Sequence, residues 1–111
     1  MCNNCNLNID AERTDEFGQK LLEIVNHSSL SLMMSIGHRS RLFDIMSEME
    51  HASSSEIAEQ SGLNERYVRE WLGAMVTGEI IEYDPVLKTY FLPAEHAALL
   101  TRAAGSNNFA L

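Results

Sequence analysis

Ser53-Ser54-Ser55-Glu56-Ile57-Ala58-Glu59-Gln60-Ser61-Gly62-Leu63-Asn64-Glu65-Arg66-Tyr67-Val68-Arg69-Glu70-Trp71-Leu72-Gly73-Ala74-Met75-Val76-Thr77 is the stretch whose reading decides the fold. It opens with serines followed by Glu56, the reciprocal capping pattern in which each side chain satisfies a free backbone N–H of a first helical turn. A short helix follows, with Ile57 and Ala58 turned inward, and it stops at Ser61-Gly62, where glycine can take the left-handed conformation. Asn64 is the next cap. From Asn64 to Thr77 the residues Tyr67, Val68, Trp71, Leu72, Met75 and Val76 share one side of a helical wheel, while Arg66, Arg69, Glu70 and Gly73 share the other. Two helices joined across Ser61-Gly62-Leu63-Asn64 match the helix-turn-helix, whose turn is short and often contains glycine.

Beyond Gly78 the pattern turns β-rich. Ile80-Ile81-Glu82-Tyr83 and Thr89-Tyr90-Phe91-Leu92 flank the turn formers Asp84-Pro85, so two strands and a loop make a wing. Pro93 can open a final helix, continued by Ala97, Ala98, Leu99 and Leu100 until Gly105-Ser106-Asn107-Asn108 dissolves the pattern. Upstream, Phe17, Leu21, Ile24, Val25, Leu32 and Ile36 form one broad side of an amphipathic helix opposite Glu16, Gln19, Lys20, Glu23 and Asn26. Gly37 is expected to break that helix and Ser40 to cap the next, whose core face is Leu42, Phe43, Ile45, Met46 and Met49. The fold class is therefore mainly α with a small β-wing, a winged helix-turn-helix over residues 15–104. Residues 1–14, polar and aperiodic, are expected as a flexible leader.

At 111 residues the sequence holds one hydrophobic core, and 45% hydrophobic with 22% charged residues is ordinary globular composition. The longest apolar stretch, Leu30 to Ile36, is far short of the roughly 20 residues that cross a bilayer. The N-terminus lacks the basic start and apolar run of a secretory signal, which makes a cytoplasmic protein the expectation. Cys2 and Cys5 form a CxxC with no second ligand pair, and His27, His38, His51 and His96 are scattered, so no metal site is expected. No phosphate or dinucleotide loop can be built from the glycines, and the candidate pair His38 and Asp44 lacks a nucleophile; no catalytic and no cofactor-binding residue is assigned.

Winged helices commonly read DNA, and the residues that would do so here are Arg66 and Arg69. Sixteen acidic against eight basic residues leave a net charge of −8, which repels a polyanion. Glu70 stands one turn from Arg66, where the two can pair. On the wing Glu79, Glu82 and Asp84 face only Lys88. Tyr67 and Trp71, aromatic residues of the kind that stack on bases, read as core beside Val68, Leu72 and Met75. DNA binding as a transcriptional regulator is the alternative function, disfavoured on electrostatics.

The string Leu32-Met33-Met34-Ser35-Ile36-Gly37-His38-Arg39 with Leu42-Phe43-Asp44, then Gly62 to Gly73, Glu82-Tyr83-Asp84-Pro85 and Leu92-Pro93-Ala94-Glu95-His96-Ala97, resembles the N-terminal winged-helix domain of certain class I S-adenosylmethionine-dependent methyltransferases. The resemblance spans residues 15–104. It implies a non-catalytic dimerisation and substrate-cap module, with the cofactor S-adenosylmethionine held by a Rossmann-like catalytic domain that would follow in the parent chain. Residues 105–111 would then begin the linker to that domain.

The first helix carries a further expectation. Leu30, Leu32, Met33, Met34 and Ile36 surround its axis, more than one small domain covers, so a homodimer is expected with Leu30, Met33 and Met34 at the interface. The competing reading threads this segment through the domain's own core.

Overall fold

A computed structural model describes residues 8–110; Cys2 and Cys5 lie outside them. Local signals set the helix-turn-helix as expected. The Ser53 hydroxyl accepts from the Glu56 N–H at 3.2 Å and the Glu56 carboxylate accepts from the Ser53 N–H at 2.9 Å, starting α3, Ser54–Ser61. The Ser53 backbone N–H first, and then the Ser53 hydroxyl, hold the Glu56 carboxyl below its usual pKa. Gly62 ends the helix at φ 71°, and the Asn64 side chain accepts from the Arg66 and Tyr67 N–H groups to start α4, Glu65–Thr77. That helix buries Val68, Trp71, Leu72 and Met75. Tyr67, expected in the core, is 44% exposed, because it sits at the edge of the apolar arc rather than at its centre.

Trp71 anchors the centre. It is 1% exposed, meets Phe43 edge to face at 5.2 Å between ring centres, and donates its indole N–H to the Met33 carbonyl at 2.9 Å. This last bond ties α4 to α1, Ala11–Arg39. Gly37 does not break α1. It lies inside the helix, where a Cβ would stand 2.5 Å from Trp71 and 2.6 Å from Phe43, so glycine is required there by close approach of two aromatic rings. Ser40 likewise does not cap the second helix: its hydroxyl donates back to the Ile36 carbonyl at 2.7 Å and closes α1. Helix α2, Leu42–Ser47, starts instead from Arg41 at φ 65° and buries Leu42, Phe43 and Met46.

The start of α1 also differs from the expected leader. Asp10 accepts from the Glu12 and Arg13 N–H groups at 3.0 and 3.2 Å, so residues 11–14 are helical. A turn that is polar all round shows no apolar period, and the cap was its only signal. With 29 residues the helix is about 43 Å long, within a molecule whose longest dimension is 59 Å. Phe17, Leu21, Ile24, Val25 and Leu32 are exposed, so among the described residues nothing covers the apolar side of its first half.

The wing pairs β1, Glu82–Asp84, antiparallel with β2, Thr89–Phe91, Tyr83 opposite Tyr90. Ile80 and Ile81 precede the strand: after Glu79 at φ 61° both their N–H groups point to the Met75 carbonyl, and Ile81 is buried as a plug. Tyr90 also exchanges backbone bonds with Ala52, joining the wing to the start of α3. Helix α5, Ala94–Leu100, leads into a 3₁₀ segment, Arg102–Asn107, that turns at Gly105. Residues 105–110, expected as the start of a linker, fold back: Asn108 and Ala110 are buried and the Phe109 N–H donates to the Leu99 carbonyl at 2.7 Å.

Candidate functional site

Two surfaces compete for a functional role. The first is the outward face of α4 with the wing. There Arg66 pairs with Glu70 at 3.4 Å and Arg69 with Glu65 at 3.9 Å, each one helical turn apart and each exposed. Such pairs contribute little to stability, but each places a carboxylate beside the cation that a phosphate would need. Glu65 is held further by the Ser54 hydroxyl, which donates to it at 2.6 Å, a contact across the turn that spacing alone does not reveal. On the wing, Asp84 accepts from the Val86 and Leu87 N–H groups and so shapes the loop, whose tip is apolar: Val86 is 87% exposed. Tyr90 stacks at a tilt on Tyr83, 4.8 Å between ring centres, and burial followed by that neighbour raises its pKa. The face has neither a free cluster of cations nor an outward aromatic ladder along α4, the two things a duplex or a single strand would use.

The second surface is an open groove of about 600 Å³ between the middle of α1 and the end of α4. Asn26, Ser29 and Met33 form one wall, and Gly73, Ala74 and Thr77 the other. The α4 wall is made of small residues, so its backbone is nearly bare. The sequence reading missed this groove; the signal was the run Gly73-Ala74 and Thr77-Gly78 on the back of α4, one turn apart. All three expected dimer residues, Leu30, Met33 and Met34, lie partly buried against this domain's own core, Leu30 packing toward Gly78, whereas Leu32, which is not among them, is 68% exposed.

The considered acid–base pair is not brought together. Asp44 accepts from the backbone and guanidinium of Arg102, while the His38 ring faces the Asn108 amide at 3.3 Å. His96 instead bonds the Ile80 carbonyl at 2.7 Å and pins α5 to the root of the wing. Among the described residues no three His, Cys, Asp or Glu side chains converge on a common point, and no helix is long and apolar enough to cross a membrane.

Comparison with known proteins assigns this architecture. Residues 28–102 match the family model of the Rv2258c-like winged HTH domain. The chain belongs to that family. The match begins in the middle of α1 and ends just after α5, so the family's winged HTH domain comprises the helix-turn-helix, the wing and the helices that close the core. A solved structure of PigF with SAH shares the fold, with a TM-score of 0.65 at 21% identity over 74% of this chain and 24% of that one. The chain thus spans about a quarter of the length of PigF. No curated protein matches it.

Proposed function

We propose that this winged HTH domain is the non-catalytic module of an S-adenosylmethionine-dependent methyltransferase, serving in dimerisation and as a cap over the substrate. The observation that carries the reading is the fold shared with PigF, whose structure holds SAH, the form S-adenosylmethionine takes once its methyl group has left. In that reading the catalytic domain of the parent chain binds the cofactor, and this domain's helix-turn-helix is scaffold. The paired arginines and the acidic wing support the scaffold role, since both oppose phosphate contacts. The unpartnered apolar half of α1 supports association with another chain, because exposed contiguous apolar surface marks interaction sites.

The coding sequence beyond Leu111 tests the proposal. The expected finding is a strand that ends in a glycine-rich turn and enters a helix, with an acidic residue roughly 20 positions later to hold a ribose. A downstream sequence without that pattern would overturn the methyltransferase assignment.

A further inference from the structure

Helix α1 carries a second apolar period that its first-half side conceals. Gly18, Leu22, Val25, Ser29, Leu32 and Ile36 follow one another at spacings of 4, 3, 4, 3 and 4, the repeat of a coiled-coil seam. Leu22, Val25 and Leu32 are 54, 58 and 68% exposed, and Ile36 is half-buried where the seam runs onto the domain. Among the described residues nothing covers Leu22, Val25 or Leu32.

We infer that the seam is covered by the same seam of a second copy, antiparallel, with the twofold axis passing near His27. This rests on the dimerisation reading above and specifies its geometry. Centring the pair at His27 sets Gly18 opposite Ile36 of the second copy, Leu22 opposite Leu32 and Val25 opposite Ser29. Small meets large and leucine meets leucine, as interdigitating layers require. A parallel pair would instead stack Gly18 on Gly18 and Ser29 on Ser29, leaving two layers with little to bury.

Charge selects the same arrangement. The start of α1 holds Asp10, Glu12, Asp15 and Glu16 against one arginine, and its end holds His38 and Arg39, with Arg41 just beyond it. Antiparallel pairing brings each acidic end to the basic end of the other copy and opposes the two helix dipoles. Of the positions flanking the seam, Glu12, Gln19 and Asn26 on one side and Thr14, Leu21, Ser28 and Ser35 on the other, only Glu12 is charged, and in the antiparallel pair it faces the basic end of the other copy. Arg13 and Lys20 point away from the seam, in line with His27. The groove runs beside the seam and meets it at Ser29, its α1 wall being Asn26, His27, Ser29, Leu30 and Met33.

Sedimentation and spin-label distances on the whole chain, with Cys2 and Cys5 replaced by serine, test this. The chain is expected to be dimeric at tens of micromolar, and Leu22→Glu, at a site exposed in the single chain, to keep its helical circular dichroism while weakening the dimer at least tenfold. Labels at Lys20→Cys should lie roughly 21 Å apart along the axis and labels at Arg13→Cys roughly 42 Å, from 1.5 Å of rise per residue on both sides of His27. A dimer with equal distances at the two sites, with both shifted by about 10 Å, the rise of one heptad, or indifferent to Leu22→Glu overturns this seam and leaves dimerisation standing. A chain monomeric at tens of micromolar overturns both.

Discussion

Trp71→Ala is expected to destabilise the domain by about 3–5 kcal/mol, the usual cost of emptying a core of a large aromatic side chain. The ring is the largest fully buried side chain of the core, and removing it leaves Phe43 without its edge-to-face partner and Gly37 without the neighbour it was shaped to fit. Its indole N–H also provides the direct bond to the Met33 carbonyl that fixes α1 against α4. Trp71→Phe keeps most of the packing and loses that bond, so a smaller cost, about 1–2 kcal/mol, is expected. Because Trp71 is the only tryptophan, urea unfolding of these variants is followed by far-ultraviolet circular dichroism. Equal midpoints for Trp71→Ala and wild type would show that the ring is not the anchor.

Gly37→Ala should destabilise by about 2–3 kcal/mol, the cost of overpacking a filled core. In an ordinary helix interior the same exchange stabilises by roughly 0.5–1 kcal/mol, so the expected sign is reversed. The reversal follows from distance: the added methyl would lie 2.5 Å from Trp71 and 2.6 Å from Phe43, two rings with no flexible end to swing aside. Gly73 supplies the control. It is interior to α4 with nothing within 4 Å of an added Cβ, and Gly73→Ala should leave stability unchanged or raise it. A Gly37→Ala protein as stable as wild type would mean that α1 does not approach α4 as closely as described.

These two sites also show what the sequence could and could not disclose. The helix-turn-helix was legible because its stops are local: Ser53 with Glu56, Gly62 and Asn64 act within a turn of themselves. The role of Gly37 was not, since a glycine that ends a helix and one that admits a distant ring look alike until Trp71 is placed against it. The same holds for Ser40, whose hydroxyl has a carbonyl behind it as well as a helix ahead. Ile80 and Ile81 read as strand by residue type, yet the turn at Glu79 gives their N–H groups to Met75 first. On the functional face, the pairing of Arg66 with Glu70 followed from spacing alone, and the Arg69 pair with Glu65 follows from the same one-turn spacing. The groove did not, because it needs two helices to exist. The apolar residues of α1 were found, but which of them the domain keeps and which it leaves outside depends on how the helix is rotated on the core, and all three residues first expected at an interface, Leu30, Met33 and Met34, turn toward it.

The proposed scaffold role sets this chain apart from the DNA readers that share its fold. Selection of duplexes from a random-sequence library at about 150 mM salt, followed by titration of any survivors, tests it most directly. No enriched sequence and an apparent Kd no tighter than about 10 μM, in the range of non-specific binding, are expected, since Arg66 and Arg69 each sit beside a carboxylate on a chain of net charge −8. Nanomolar retention of one sequence, lost on Arg66→Ala or Arg69→Ala, would contradict it.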